Sequence, residues 1–207
     1  MRPSNILVSG KSGSGKTEML HLLQQAGEQI LDLEGLAHHK GSAFGALGQP
    51  LQFTQEHFEN HLAWDLSLTN ANEPLWVENE SRHIGKNQLP TTFFEQIRTA
   101  NKLTVQVDIQ TRAERIFNEY GSFEKEILIE KTMDVARRMG PQHAKEAVKF
   151  LTMGDVRSWI NKMLDYYDKT YLHSSSNQEN KKVVEVDFSW AEKEVGIRKM
   201  MNKKKEF

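Results

Sequence analysis

The 207-residue chain carries 27 Lys and Arg residues against 28 Asp and Glu, so it has no global basic field and could bind nucleic acid only through a local patch. It has no cysteine, which excludes disulfides, thiolate zinc sites and a cysteine nucleophile supplied by this chain. No apolar run approaches the roughly 18 residues of a membrane span and no signal peptide is visible, so we expect a cytoplasmic protein without a membrane partner.

The first predicted strand, over residues 5–8, leads into the sequence G-K-S-G-S-G-K-T at residues 10–17. This is the pattern of a phosphate-binding loop (P-loop), in which backbone N–H groups surround an anion at the start of a helix. A helix is predicted from Lys16 to the stop at Gly27. The Lys16 ammonium would reach a terminal phosphate, and the Thr17 hydroxyl would hold Mg²⁺. The candidate phosphate-binding residues are Gly10, Ser12, Gly13, Ser14, Gly15, Lys16 and Thr17.

A second strand is predicted over residues 29–33, followed at 34–45 by a segment with no clear period. In an open α/β sheet this segment would leave the edge at which ligands bind, so it is a candidate substrate loop. A long surface connection with incidental polar residues is an equally good interpretation. The candidate substrate-loop residues are Asp32, Glu34, His38, His39, Lys40, Gly41 and Ser42.

After a predicted helix over 54–69, a third strand over 74–81 ends in acidic residues. Glu78 or Glu80 would hold a Mg²⁺-bound water or orient a nucleophile, as carboxylates do in P-loop proteins, although a surface Glu is the alternative. Arg82 would lie at the same edge and pair with phosphate, or form a salt bridge to one of these carboxylates. With Lys16, these three residues are the candidate catalytic set.

The remaining sequence predicts two more strands and mostly helices. The strands fall at 103–108 and 182–187, and the helices at 90–100, 111–120, 123–139, 142–153, 155–171 and 188–201, with a loop at 173–182. We therefore expect a P-loop NTPase-like three-layer α/β/α fold with a mainly parallel five-stranded sheet. A helical insertion or subdomain is expected at about 111–172 within a single domain, with a frayed basic tail at 202–207.

Basic residues are densest in the predicted helical part of the chain. Arg112, Arg115, Arg137 and Arg138 form a possible tRNA- or diphosphate-binding group, to which Lys145 and Lys149 contribute. Scattered, solvated surface charge is the simpler interpretation of the same residues.

Three motifs in order resemble the P-loop half of tRNA 2-selenouridine synthase. They are S-G-K-S-G-S-G-K-T-E at 9–18, D-L-E-G-L-A-H-H-K-G-S-A-F-G at 32–45, and W-V-E-N-E-S-R-H-I-G at 76–85. The first is shared by a very large superfamily, whereas the second is distinctive and the third adds independent support. The resemblance covers at least residues 5 to about 120.

The resemblance implies an activity on wobble 2-thiouridine in tRNA. Its sulfur would receive a geranyl group from geranyl diphosphate, and selenium from selenophosphate would then displace the S-geranyl group. Members of this family join the P-loop domain to a rhodanese-like domain with an essential cysteine, which this chain lacks. The chain therefore resembles the P-loop half alone, or an excised domain, and a separate rhodanese-like partner is expected for selenation.

Two other interpretations stay open. The chain could be a small P-loop nucleotide kinase or ATPase that uses ATP or GTP, with Glu78 or Glu80 on Mg²⁺ and the later arginines as a lid. It could also be a non-catalytic module that recruits tRNA for a rhodanese-like partner. The 32–45 segment argues against the kinase interpretation.

Overall fold

A computed structural model describes residues 4–176 and 180–207 of the chain. Within these residues the chain forms two compact units. The first consists of residues 4–10, 16–106 and 180–207, and the second of residues 11–15 and 107–176.

The first unit contains a five-stranded parallel sheet. Its strands and those of a short hairpin are β1 (Asn5–Ser9), β2 (Gln29–Leu31), β3 (Leu75–Glu78), β4 (His83–Ile84), β5 (Asn87–Gln88), β6 (Asn101–Gln106) and β7 (Val183–Asp187). The sheet order is β2-β3-β1-β6-β7, and every neighbouring pair is parallel, whereas β4 and β5 form a separate antiparallel pair. The central strands are buried on both faces, which explains their nearly continuous apolar sequences.

Ten α-helices accompany these strands in the described part of the chain. They are α1 (Lys16–Gln25), α2 (Leu33–Ala37), α3 (Gln55–Ser67), α4 (Thr91–Arg98), α5 (Ile109–Tyr120), α6 (Lys125–Asp134), α7 (Ala136–Met139), α8 (Pro141–Thr152), α9 (Val156–Ser176) and α10 (Lys193–Lys203). Short 3₁₀ turns at Trp190–Glu192 and Lys204–Glu206 flank α10.

Helices cover both faces of the sheet. Leu7 and Val77, which are paired in register, belong to one apolar cluster with Phe58 of α3 and Phe93 of α4. Side chains alternate between the two faces along a strand, so Glu78 points to the opposite face, where α1 contacts β1 and β3. The predicted three-layer fold with a mainly parallel five-stranded sheet is therefore confirmed.

The second unit is helical apart from loop residues 11–15. Helices α5 and α8 both contact α9, and α6 contacts α8. Its core includes Trp159, whose indole Nε1 donates to Thr132 Oγ1 at 3.0 Å. Trp159 lies on α9, where Ile160, Met163 and Leu164 are also buried, so this face of the helix is a packing face.

Several predicted boundaries are corrected by the structure. The strand expected at 29–33 ends at Leu31, because Asp32 accepts a hydrogen bond from the Gly35 N–H at 2.7 Å and caps α2. The helix expected at 123–139 is divided at Val135, which ends α6 and precedes α7. The loop expected at 173–182 is helical as far as Ser176, and residues 177–179 lie outside the described residues.

The frayed tail expected at 202–207 is also wrong. Lys203 completes α10, and a 3₁₀ turn continues to Glu206. The Lys204 ammonium donates to both carboxylate oxygens of Glu28, at 2.6 and 2.7 Å. This ion pair, with a side chain of Glu28 that is only 9% exposed, holds the tail in place.

Candidate functional site

The P-loop joins the end of β1 to the start of α1, as its sequence predicts. Gly13 and Gly15 have φ angles of 77° and 83°, a region that favours glycine because it has no Cβ. Within the loop, the Ser14 N–H donates to the Lys11 carbonyl oxygen at 3.1 Å. Helix α1 begins at Lys16, directly after the loop. The N-terminus of a helix, with the positive end of its dipole, suits an anion.

Three side chains converge at the carboxyl end of β3 in the first unit. Thr17 Oγ1 lies 2.5 Å from Glu78 Oε1 and 2.9 Å from Glu34 Oε2. The Glu34 N–H also donates to Glu78 Oε2 at 3.0 Å. A hydroxyl has one proton, so both Thr17 contacts are hydrogen bonds only when a carboxyl group supplies the second proton.

The electrostatics of this group favour protonated carboxyls. Burial raises the pKa of Glu78 well above its ordinary value, and the negative charges of Glu34, Asp32 and Glu80 raise it further. Burial also raises the pKa of Glu80 to about 7, with Glu34 adding to the shift and the Lys16 charge opposing it. We name Thr17, Glu34, Glu78 and Glu80 the acidic cluster.

The donor set of the acidic cluster fits a hard divalent cation. A hydroxyl and carboxylate oxygens are the ligands that Mg²⁺ prefers, and Mg²⁺ commonly takes its other ligands from phosphate and water. Among residues 4–176 and 180–207 no group of three or more His, Cys, Asp or Glu side chains is arranged to hold a metal by itself.

The predicted substrate-loop residues separate into two groups. Asp32 caps α2 and contacts the exposed His21 ring at 2.9 Å, and His38 ends α2 with a φ of 50°. The His38 ring donates to the Leu51 carbonyl oxygen at 3.0 Å and packs against Phe53. These residues therefore shape the segment.

The second group folds back on itself. The Lys40 N–H donates to the Gly45 carbonyl oxygen, and the Ser42 hydroxyl accepts from the Phe44 N–H at 3.2 Å. His39 is buried, and burial lowers its pKa, so the ring stays neutral. Gly41, with a φ of 64°, lies so close to the Glu80 carboxyl that a Cβ would collide with it. The structure thus brings Gly41 and Glu34 to the acidic cluster.

Arg82 is the remaining member of the predicted catalytic set. Its guanidinium donates to the Thr91 hydroxyl at 2.7 Å, at the first residue of α4. The side chain is half-buried, and this contact fixes the turn before β4 to the start of the helix.

The members of the predicted basic group differ in how far they are exposed to solvent. Arg137 and Arg138 are on α7, and Arg115 is half-buried on α5. Arg112 is only 3% exposed and is paired with Asp168, so its assignment as a tRNA contact is wrong. A buried guanidinium that already pairs with a carboxylate is not accessible to a phosphate of RNA.

Sequence reasoning missed Asp168, which lies within a long helix. Asp168 contacts Lys11 of the P-loop at 3.3 Å as well as Arg112. No local pattern in α9 distinguishes this carboxylate from those on the exposed face of the helix. The available signal is Lys11, a second cation in the P-loop close to which a carboxylate is electrostatically favoured.

The family described as tRNA 2-selenouridine synthase AAA domain matches residues 3–199 of this chain. The chain belongs to this family. The match includes the P-loop, the acidic cluster, and Asp168 with its two basic partners. The resemblance inferred from the three motifs is confirmed.

Curated relatives named tRNA 2-selenouridine synthase match over different lengths. One from Nitrosomonas europaea is 42% identical over 118 residues, covering 56% of this chain and 30% of the relative. One from Proteus mirabilis is 32% identical over 206 residues, covering 85% of this chain and 56% of the relative. The chain thus spans about half the length of the second relative and less of the first.

Among solved structures, TT1252 from Thermus thermophilus has a TM-score of 0.48 and 14% identity, covering 99% of this chain and 98% of that one. Within the described residues, no helix has the length and apolar character needed to cross a membrane.

Proposed function

We propose that this chain is the P-loop part of a tRNA-modifying enzyme that acts on wobble 2-thiouridine on the way to 2-selenouridine. In this proposal the P-loop binds the diphosphate of geranyl diphosphate, and the first product is an S-geranyl intermediate. The observation that carries the proposal is the family match across residues 3–199, which includes a P-loop in its strand–loop–helix setting. The P-loop geometry supports a diphosphate ligand, because its amides and helix terminus suit an anion.

The proposed transfer is a substitution at the allylic carbon of the geranyl group. The thiouridine sulfur forms a C–S bond, the C–O bond to the diphosphate breaks, and the electron pair leaves on the diphosphate oxygen. Loss of the N3 proton restores a neutral base. Because thiocarbonyl sulfur is already a good nucleophile, the chemistry needs stabilisation of the leaving group more than a strong base.

The residues of this chain would supply that stabilisation. Lys16 and the P-loop amides would bind the departing diphosphate, with Arg82 as a further candidate contact. Thr17 would hold Mg²⁺, and Glu78 and Glu80 would accept hydrogen bonds from water molecules bound to the ion. When bound, the ion supplies positive charge against the diphosphate oxygens. Closure of the 34–45 segment over the ligand remains part of the proposal.

In this proposal, selenation uses an essential thiol. The chain has no cysteine, so a thiol-dependent step with selenophosphate would depend on a rhodanese-like partner. We therefore assign to this chain the geranyl-transfer step and to the partner the essential thiol.

The tRNA would contact the basic residues of α7 and α8. Arg138 and Lys145 are exposed, and Glu146, which follows Lys145 in sequence, accepts from the Lys162 ammonium at 2.5 Å. Replacing Arg137, Arg138, Lys145 and Lys149 with Gln should weaken tRNA binding. It should also make the slope of log affinity against log salt shallower by about one for each phosphate that is no longer neutralised. An unchanged slope would remove this surface from the proposal.

A kinase or ATPase remains the second candidate because of one observation. Thr17 at the start of α1 and Glu78 at the end of β3 are in contact, which is the arrangement that P-loop enzymes use to hold Mg²⁺ beside a nucleotide. A non-catalytic tRNA-recruiting module is the third, and it predicts tRNA affinity that does not depend on Lys16.

The deciding experiment is incubation of the chain with geranyl diphosphate, Mg²⁺ and tRNA containing wobble 2-thiouridine, followed by mass spectrometry of the nucleosides. S-geranyl-2-thiouridine should form with the wild type and with Lys86→Ala, an exposed lysine in the β4–β5 turn, but not with Lys16→Ala. Product that forms only after a rhodanese-like protein is added would mean that the active site is shared. No product, together with consumption of ATP, would favour the kinase or ATPase.

A further inference from the structure

The second unit contains a buried arginine that the proposed chemistry does not use. Arg112 of α5 donates to both carboxylate oxygens of Asp168 on α9, at 2.8 and 2.9 Å. Its Nη1 also donates to the Ser12 carbonyl oxygen in the P-loop at 3.1 Å. Ser12 and Arg112 are 100 residues apart in sequence. We name this arrangement of Ser12, Arg112 and Asp168 the loop brace.

The charges of the loop brace hold it in its ionised form. Burial alone would raise the pKa of Asp168, but its hydrogen bonds and ion pairs with Arg112 and Lys11 bring that pKa below its ordinary value. Arginine does not lose its proton in proteins. The two-point contact of a planar guanidinium with a carboxylate also fixes its orientation, which a lysine could not reproduce.

The contact with Ser12 determines the direction of a P-loop amide. In a planar trans peptide, the carbonyl of one residue and the N–H of the next point in opposite directions. Because Arg112 holds the Ser12 carbonyl, the Gly13 N–H must point away from the Arg112 guanidinium. An anion-binding nest requires such a fixed, common direction of successive N–H groups.

Helix α5 also packs closely against the next residue of the loop, Gly13. A Cβ added to Gly13 would lie 2.8 Å from the Arg112 carbonyl oxygen and 2.9 Å from Ile116 Cδ1. Helix α5 therefore contacts two successive P-loop residues, one through a side-chain hydrogen bond and one through close packing. Rotation of the Ser12–Gly13 peptide would break the hydrogen bond from Arg112.

We propose that Arg112 and Asp168 are positioning residues that set the P-loop backbone for binding of a diphosphate. The proposal rests on the proposed function in that it takes a diphosphate as the ligand of the loop. Arg112 acts directly on the Ser12 carbonyl, and Asp168 acts through Arg112.

The direction in which one substitution changes diphosphate binding distinguishes a positioning role from a simple charge effect. Asp168 is an anion in contact with Lys11, so removing its charge by Asp168→Asn would strengthen anion binding if charge alone mattered. Under the positioning proposal, Asp168→Asn loosens the guanidinium, the Ser12 peptide gains freedom, and diphosphate binding weakens. The two explanations predict opposite changes.

The experiment is titration calorimetry of the full chain with inorganic pyrophosphate and Mg²⁺. Asp168→Asn and Arg112→Lys should each weaken binding about tenfold or more. The matched control is Glu114→Gln, which breaks the Arg157–Glu114 ion pair between the same two helices, α5 and α9, at 2.7 Å. That pair is exposed, and the control should bind pyrophosphate within about twofold of the wild type.

A second measurement keeps the proposal testable without a ligand. Hydrogen exchange of the amides at 11–15 should be faster in Asp168→Asn than in wild type or Glu114→Gln. Tighter or unchanged pyrophosphate binding by Asp168→Asn, or unchanged exchange at 11–15, would overturn the loop brace. Wild-type protein that binds no pyrophosphate would instead overturn the proposed diphosphate ligand, and the exchange measurement would still decide the brace.

Discussion

The acidic cluster and the loop brace use charge in opposite ways. In the acidic cluster, Glu78 is fully buried among other carboxyls, and its pKa is raised by burial and by like charges. In the loop brace, Asp168 is partly buried against two cations, and its pKa is lowered despite its burial. The first group gathers like charges, whereas the second pairs its carboxylate with cations of the same chain.

Under the proposed function, this difference distinguishes a ligand site from a structural contact. Buried like charges cost free energy in the absence of a cation, and a divalent ion with a phosphate would remove that cost. A buried bidentate ion pair gains nothing from a further ion, and it serves to fix geometry. Neutralising the acidic cluster should therefore raise stability and weaken ligand binding, whereas neutralising the loop brace should lower both.

The largest expected loss of stability comes from a substitution in the loop brace. Arg112→Met removes the guanidinium and leaves Asp168 partly buried with the longer contact to Lys11. We expect a decrease of about 3 kcal/mol in the free energy of unfolding, or roughly 6–12 °C in the melting temperature. Thermal or urea unfolding measures it.

Arg157→Met is the matched control for this substitution. Arg157 also pairs with a carboxylate across α5 and α9, but the two side chains are 61% and 51% exposed. An exposed pair contributes at most about 1 kcal/mol. Equal decreases for the two variants would mean that the loop brace is no stronger than a surface ion pair.

The second prediction tests the close packing of the loop. Gly13→Ala should destabilise the protein by about 2 kcal/mol, from a positive φ and from the collision with the Arg112 carbonyl oxygen. Gly154→Ala provides the comparison, because Gly154 has the same φ of 77° but no atom within 4 Å of its added Cβ. It should destabilise the protein by only about 1 kcal/mol, measured by the same unfolding experiment. A similar loss of stability in the two variants would mean that the positive φ alone accounts for the effect at Gly13.

The two regions also differ in how far they can be predicted from the sequence. The acidic cluster follows from a P-loop and a strand that ends in acidic residues, because parallel strands bring their carboxyl ends to one edge. This reasoning is enough to bring Glu78 and Thr17 together. Glu34 joins them only because Asp32 ends the strand early and starts α2, a choice that depends on one side-chain hydrogen bond.

The loop brace cannot be predicted from any local pattern. Arg112 and Asp168 are 56 residues apart and lie on helices whose apolar periods indicate only which face is buried. Their pairing depends on how α5 packs against α9, which the sequence of either helix does not specify. For this reason the sequence alone suggests a surface cation at Arg112.

The third prediction is a substitution that stabilises the protein, whereas the first is one that destabilises it. Glu78→Gln should stabilise the protein, without divalent cations and at a pH above the raised pKa of Glu78, by about 1–2 kcal/mol, because it removes a buried charge and keeps the shape. The Gln oxygen can accept from the Glu34 N–H while the amide donates to Thr17. Urea unfolding measures the change, and Mg²⁺ with pyrophosphate should stabilise the variant less than the wild type.

Glu185→Gln is the control, since Glu185 is an exposed residue of β7. Its substitution should change stability by no more than about 0.5 kcal/mol. A destabilised Glu78→Gln protein would show that the carboxylate is structurally required and would remove the contrast between the two regions.

The smallest effect is a dependence on pH that differs between the two regions. The pKa of Glu80 is about 7 in the folded protein and near 4.5 when the chain is unfolded, so the folded state binds the extra proton. Stability contributed by this proton is present below pH 4.5 and is lost as the pH rises through 7. Glu80→Gln should therefore flatten the fall in stability between about pH 5 and 8, as measured by urea unfolding.

Asp168 should give the opposite dependence. Its pKa is lowered in the folded protein, so its contribution is present at neutral pH and is lost as the pH falls below about 4. Asp168→Asn should flatten the acid side of the profile and leave the change between about pH 5 and 8 unaltered, whereas Glu80→Gln should do the reverse. If both substitutions altered stability in the same pH range, the two groups would be electrostatically coupled. The separation between the proposed ligand site and the loop brace would then fail.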